Sequence, residues 1–462
     1  NLLGPVTVAS YDGKHLPYVD NLVNLVVAGG TSAAPRSEVL RVLAPEGVAV
    51  FLDARGSIRD TLRKPRPDNI DIWTHYLHSP NNNAVANDTQ VSSPRHLHWM
   101  GNPDWARHHD KQASMSALVT NGRQIFSILD YGPVHTPEYE PQWHVECRDA
   151  FNGIRLWTVP MKSWVSHLRR FRSGPVQLAR LLLIDDDRLY VTLGIGEPVS
   201  VLNANTGKTV SEFPATKNAE EMILSGKDLI VVCGAETAEH SYSGADIFRK
   251  RIVCINTATG KPRWSWPEDA ADIIPQSLAA NGAGVFCQVG NDTAALDQAK
   301  GTLTWQEASF APPPAPKKQP AKTNAKPQKK SKKKSSGKRQ PGWNYANLVV
   351  HKDVVLSADG KLLVAHNAQT GKRLWECAAA TPFAKTPSVD ILVIDDVVWT
   401  SPILNTGRDL HTGEILKQTD LKQTLVTAGH HHRCYRNKGV GDHIIFGHRG
   451  LEFFDTKGDD HA

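Results

Sequence analysis

The side chains best suited to chemistry in this chain are its histidines, twenty in 462 residues, of which six stand in three conspicuous clusters. His108 and His109 precede Asp110. His167 stands near Arg169 and Arg170. His430, His431 and His432 run into Arg433, with Tyr435 and Arg436 just beyond. Metal binding would need ligands converging from different strands, with partners behind them. Neighbours on a strand face opposite sides, so of the last run only His430 and His432 could share a face, and no metal site is expected. Proton abstraction beside a uronate carboxylate would use a histidine, a tyrosine and an arginine, and His431, Tyr435 and Arg436 are of those types. For each cluster taken alone, polar surface or hydrogen-bonded packing is the plainer reading. The six cysteines (Cys147, Cys233, Cys254, Cys287, Cys377 and Cys434) include neither a CxxC nor an adjacent pair, which sets aside zinc-ribbon and thioredoxin chemistry. Cys233 and Cys254 could pair across two strands; two buried thiols are the preferred expectation.

What must position these groups is a repeat. Asp149…Gly153…Trp157 sets a pattern of Asp or Asn, Gly four later and Trp eight later. It returns at Asn256…Gly260…Trp264, Asp297…Gly301…Trp305 and Asn367…Gly371…Trp375. Copies without the Trp stand at Asn203…Gly207 and Asp409…Gly413, and a remnant at Asp455–Gly458. The glycine intervals are 54, 53, 41, 70 and 42, and a 31-residue basic insert accounts for the excess in the 70. Between β-rich runs such a turn is a hairpin whose Gly takes positive φ. About four short antiparallel strands per repeat is the content of one propeller blade. A β-sandwich would explain the alternation, though not the fixed Asp/Asn–Gly–Trp phase. The Trp is expected on the outermost strand, packed between neighbouring blades.

The Ala-x-Thr-Gly-x-x-x-Trp units resemble the PQQ-like repeats of quinoprotein dehydrogenases and of related outer-membrane assembly propellers. Asp71–His78 followed by Leu97-His98-Trp99 is similar to the lead-in of such propellers. Trp105–Asp110 and His431–Lys438 resemble signatures of large bacterial proteins that join a methyltransferase-like segment to this propeller, and the likeness covers nearly the whole chain. It implies a mainly β fold: a seven-bladed β-propeller of four-stranded blades, or eight blades if the chain is cut at both ends. A small α/β methyltransferase-like remnant precedes it. The expected domains are 1–60 for the remnant, 61–94 for the lead-in and 95–462 for the propeller, with 311–341 as a disordered insert. Because the last repeat stops after its turn, Arg95–Trp99 is expected to supply the missing outer strand and close the ring.

The N-terminal stretch reads strand (18–27), helix from Ser37, a turn at Pro45-Glu46-Gly47, then a strand to Phe51. It resembles the second half of a class I SAM-dependent methyltransferase, with Glu46 in place of the first Gly of a Pro-Gly-Gly pattern. The Gly-rich loop and ribose-binding acid of such a site would lie upstream of Asn1, so this chain is not expected to bind SAM. A working methyltransferase belongs only to a longer parent chain. Ala311–Pro341 carries eleven Lys or Arg, seven Pro and no acid; it cannot bury enough surface to offset its ordering entropy. Without those eleven cations the net charge of +6 becomes −5 for the remainder. No specific nucleic-acid surface is therefore expected, and the insert is read as a solvated loop rather than a polyanion-binding arm. No apolar run is long enough to span a membrane. The chain opens Asn1-Leu2-Leu3-Gly4, without a readable leader; a periplasmic or exported location rests on the resemblance alone. A monomer is expected.

Three functions compete. The first is a non-catalytic binding propeller for an anionic or carbohydrate-like ligand or a partner protein. The second is a PQQ-dependent dehydrogenase; its relatives carry a vicinal cysteine pair and a calcium-binding set, and the first of these is missing here. The third is a propeller polysaccharide lyase. The three clusters share one phase of the repeat, the crossover from an outer strand to the next inner strand, and all such crossovers emerge on one face. His108, His109, His167, Arg169, His430, His431, His432, Arg433 and Arg436 are therefore expected to line one funnel mouth, where loops on a rigid scaffold carry function. Excising 311–341 restores a 39-residue interval between Gly301 and Gly371. Its deletion should lower the thermal midpoint by less than about 5 °C, the shift of roughly 1 kcal/mol expected at most for a neutral loop change; differential scanning fluorimetry checks this.

Overall fold

The computed structural model describes residues 6, 8–29, 34–101, 115–133, 141–162, 176–234, 249–274, 276–310, 347–379, 389–400, 404–419, 436–446 and 452–458. The described strands form seven four-stranded sheets and one three-stranded sheet. Six of the seven are consecutive in sequence. Their innermost strands are Met115–Thr120, Leu182–Asp185, Ala219–Ser225, Ala279–Ala280, Asn347–His351 and Ile391–Ile394. The seventh runs Lys438–Val440, His443–Phe446 and Glu452–Asp455, with Val85–Ala86 added in parallel to its first strand. Inner and middle strands are buried on both faces because each blade is covered by its neighbours. Leu182–Asp185 and Ile391–Ile394 accordingly read as apolar runs rather than alternations, and Leu189, Val231, Ile252 and Val355 have no exposed surface.

The repeat motif has a local cause. In each turn the Asp or Asn side chain accepts the N–H groups two and three residues on, as Asn203 does from Asn205 and Thr206, both at 3.0 Å. The Gly N–H closes back to the Asn carbonyl, Gly207 to Asn203 at 2.8 Å. Gly207 then needs φ +69°, which a β-branched residue would resist. The Trp on the outer strand docks on the following blade's turn. Trp157 donates to the Ala204 carbonyl at 2.8 Å, Trp264 to Gln298 at 2.8 Å, Trp305 to Ala368 at 2.9 Å and Trp375 to Leu410 at 2.8 Å. Each ring lies where a Cβ on the turn glycine would sit, within 2.7 Å of it for Trp157 over Gly207. The expectation for the Trp therefore holds. In the second blade, where it is missing, Phe213 covers Gly260.

Ring closure differs from expectation. Arg95–Trp99 forms no strand. Trp99 alone takes the docking role, donating to the Ala150 carbonyl at 3.0 Å and covering Gly153. The chain ends meet instead through Val85–Ala86, and the reason lies in the segment leading to it. Residues 73–86 run round the inside of the ring and bond to every inner strand in chain order. The Trp73 carbonyl accepts from Thr120 N–H at 2.8 Å and that of Thr74 from Ile184 at 3.1 Å. His75 Nε2 accepts from Leu224 at 3.0 Å. The Pro80 carbonyl accepts from Ala280 at 2.8 Å and that of Asn81 from Val350 at 2.9 Å. The Asn83 amide exchanges two bonds of 2.9 Å with Val393, and the Ala84 carbonyl accepts from Gly439 at 2.7 Å. Burial pushes the His75 imidazole down to about 3. The neutral ring thus accepts at Nε2 and gives its Nδ1 proton to the Thr74 hydroxyl, 2.7 Å away.

At the N-terminus, Val23–Ala28 pairs in parallel with Leu43–Leu52 across helix Arg36–Val42, and Ile58–Arg63 pairs antiparallel beyond. Strand, helix and strand appear as read. The Pro45-Glu46-Gly47 step is a kink at the start of the second strand: Glu46 takes φ +66°, and a Cβ on Gly47 would come within 2.8 Å of the Ala44 carbonyl. This sheet touches the first blade's turn, where Asn24 donates to Asp149 at 2.8 Å.

Asn82 is the hub of the inner segment. Its amide donates to the carbonyls of Leu278 and Leu348 in two adjacent blades, at 2.7 and 2.9 Å, while its oxygen accepts from Arg180 at 3.0 Å. Asn82→Ala leaves these buried groups unsatisfied and strains φ +62°, a cost of about 3–5 kcal/mol. Asn82→Gly relieves the strain alone and should recover about 1 kcal/mol. Urea unfolding followed by tryptophan fluorescence measures both.

Candidate funnel site

Each inner strand begins on the side where the crossover from the preceding blade arrives. On that side the described residues place a group of charges around Tyr76, which rises from the inner segment. Arg180 lies just before Leu182–Asp185, Asp390 just before Ile391–Ile394, and Arg436 just before Lys438–Val440. Arg180 is 3 % exposed. Its Nη1 lies 3.1 Å from Glu221 Oε1, its Nη2 donates to the Gln276 carbonyl at 3.2 Å, and its guanidinium carbon sits 5.5 Å above the Tyr76 ring. Glu221 also accepts the N–H groups of Gln276 and Leu278, at 2.7 and 3.3 Å. Burial pushes its carboxyl up to about 7, against the pull of Arg180 and those donors. Three blades thus share one ion pair and its partners.

Arg436 forms the second pair. Its Nε lies 2.8 Å from Asp390 Oδ1 and its Nη2 donates to the Val389 carbonyl at 2.8 Å; Asn437 donates to Asp390 Oδ2 at 2.9 Å. Burial raises the Tyr76 hydroxyl above its ordinary value, while Arg436 and Arg180 pull it down. Lys438 is different. It is exposed, with its ammonium 5.9 Å from the centre of the half-buried Trp73 ring. Even so, loss of solvent holds it below the usual lysine range, with Arg436 acting in the same direction and Asp390 opposing. Two buried polar atoms nearby, Arg180 Nε and Asn347 Oδ1, have no hydrogen-bond partner among the described residues.

His108, His109, His167, Arg169, His430, His431, His432 and Arg433 lie outside the described residues, as do Tyr435 and Cys434. Arg436 is described, and is buried against Asp390 rather than lining a mouth. Sequence reading missed Trp73 and Tyr76 as site residues, along with Arg180, Glu221, Asp390 and Lys438. A usable signal was a single charge set directly before an apolar run, as in Arg180 before Leu181–Ile184 and Asp390 before Ile391–Ile394.

Among the described residues no group of three or more His, Cys, Asp or Glu is arranged to hold a metal ion. A quinone of the dehydrogenase type does not fit the described residues, whose cysteines include no adjacent pair. Cys147, Cys233, Cys254 and Cys287 are free and buried, and burial pushes their thiols up to about 12. Cys233 faces Arg251 rather than Cys254 across its strand pair. The inside of the ring is occupied by residues 73–86. On the opposite face, a cavity of about 740 Å³ is lined by Asp88, Asp395, Asp396 and Asp442 together with His351 and Lys352. Three of its four carboxylates are paired in place: Lys457 reaches Asp395 at 3.2 Å and Asp442 at 2.9 Å, and His351 reaches Asp396 at 3.0 Å, while Asp88 accepts the Asp71 N–H at 3.1 Å.

Seven four-stranded sheets closed around an inner segment, with a Trp docked on the neighbour's Asx–Gly turn in most of them, define a β-propeller of four-stranded blades. Residues 199–338 match the PQQ-like family model described as outer membrane protein assembly factor BamB. Among solved structures, the chain is similar to quinohemoprotein alcohol dehydrogenase from Comamonas testosteroni, at 10% identity and a TM-score of 0.52, over 85% of this chain and 72% of that one. It is also similar to BamB from Moraxella catarrhalis, at 13% identity and a TM-score of 0.42, over 87% of this chain and 89% of that one. At such identities the likeness is one of fold. No curated protein matches the chain in sequence.

Removing one partner of a buried pair costs more than removing both. Arg180→Met should destabilise the protein by about 3–5 kcal/mol by stranding the Glu221 carboxylate. The double variant Arg180→Met/Glu221→Gln should recover at least half of that loss, read as denaturation midpoints by circular dichroism.

Proposed function

We propose that this chain is a binding propeller whose crossover-side funnel takes an anionic, carbohydrate-like ligand. The observation that carries the reading is the pairing of half-buried aromatic rings, Trp73 and Tyr76, with the exposed Lys438 ammonium, 5.9 Å from the Trp73 ring. Sugar rings stack on aromatic faces, and anionic substituents seek cations in a low-dielectric pocket. His108, His109, His167, Arg169, His430, His431, His432 and Arg433 are part of this proposal as the rim of the same funnel.

Buried thiols and an occupied ring interior speak for binding rather than for quinone-dependent oxidation. The strand–helix–strand at residues 23–52 is compatible with a remnant of a SAM-dependent methyltransferase, and the likeness to outer-membrane assembly factors with a periplasmic or exported setting. Both stand as parts of this proposal, together with a monomeric state and the division into 1–60, 61–94 and 95–462.

Titration calorimetry with trigalacturonate tests the reading. Saturable binding is expected, and Trp73→Ala should weaken it about tenfold, the upper range of one aromatic stacking contact. Binding that ignores the loss of Trp73, or an acidic peptide binding in place of the sugar, would move the site elsewhere or give the funnel a protein partner.

A further inference from the structure

Charge on the funnel floor does not balance among the described residues. Arg180 is answered by Glu221 at 3.1 Å and Arg436 by Asp390 at 2.8 Å, and both pairs are buried. The third cation, Lys438, has no carboxylate within ion-pair distance among those residues, yet it is the one that solvent reaches. Its neighbours are fixed. Trp73 is held by its backbone bond to Thr120 and by its indole N–H to the Tyr76 carbonyl at 3.2 Å, and Asp390 is spent on Arg436 and Asn437. Among the described residues the floor holds three cations and two carboxylates, so one further negative charge beside Lys438 is favoured. Arg180 Nε, buried and without a hydrogen-bond partner among those residues, adds an unspent donor to the same floor.

We infer that Lys438 is the charge anchor of the funnel and that the ligand presents it with a single carboxylate, carried on a ring that packs against Trp73. The ligand class is a uronate-type acidic sugar. This rests on the carbohydrate reading above and sharpens it to one group and one residue. Arg180 and Arg436 hold the floor in shape, and Lys438 selects for the acid. Selection arises because a neutral ester at the same place would leave the ammonium desolvated and unanswered.

The experiment compares trigalacturonate with its trimethyl ester and with a sulfated trisaccharide, on the full chain, by titration calorimetry. The wild type should bind the acid at least tenfold tighter than the ester and the sulfated sugar. Lys438→Gln should lose that preference by weakening the acid alone, and Lys438→Arg should keep most of it. Thermal midpoints within a few degrees of wild type would show that the exposed substitution leaves the fold intact. An acid-to-ester ratio unchanged in Lys438→Gln overturns the anchor while leaving the funnel reading standing. A preference for the sulfated sugar overturns the carboxylate. No binding of any of the three sugars to the wild type overturns both the anchor and the funnel reading.

Discussion

Everything in this propeller hangs on one stretch of irregular backbone. Residues 73–86 have no repeat of their own, yet their polar groups bond to the innermost strand of each of the seven blades. Inner strands of a ring face a problem that outer strands do not. Their free edges point at the axis, where neither another strand nor bulk water serves them well, and unpaired backbone groups there would cost about 1–3 kcal/mol each. A single segment passing from blade to blade supplies the missing partners. It also fixes what the axis contains. The rings of Trp73 and Tyr76 and the amide of Asn82 sit where they do because the backbone beneath them is tied at both sides.

Around that hub the blades lock to each other through a second, repeated device. A glycine at positive φ leaves a flat patch of backbone on each turn, and an indole fills it while donating to the carbonyl three residues before the glycine. Steric fit and hydrogen bond use the same atoms, and in the second blade Phe213 keeps the fit over Gly260 without the indole donor. The two devices divide the labour: the indoles set the spacing at the perimeter, and the inner segment sets it at the centre. Charges that approach the axis between them, Arg180 with Glu221 and Arg436 with Asp390, are buried in a frame with little freedom to relax.

The parts of this architecture legible in sequence are those with local causes. Asn203, Asn256 and Asn367 cap their own turns through neighbouring N–H groups, so turn and Trp position could be read from spacing, while seven and eight blades both stayed open. Ring closure could not. Val85–Ala86 is two residues long, too short to show any period, and its partner Gly439 is encoded at the far end of the chain. The inner segment was recognisable only as a lead-in, because its contacts are with backbone and leave no mark on the partner sequences. Histidine clusters drew attention by composition, whereas the charges resolved on the floor are single residues set before apolar strands. Density of a residue type is a weaker guide than a lone charge in a place where charge is costly.

The order of contacts along the inner segment has a bearing on how the protein is made. Chain positions 73–86 are synthesised before any blade, and they meet the blades in the order in which those emerge. His75 waits for Leu224, 149 residues on, and Asn83 for Val393, 310 residues on. Loop-closure entropy grows slowly with length, so the later contact costs less than about 1 kcal/mol more than the earlier one. The segment is in effect a template laid down first, with each finished blade docking beside the last and the register of the ring already written. A circular permutant that placed these residues at the C-terminus would keep every contact of the final structure and lose the template.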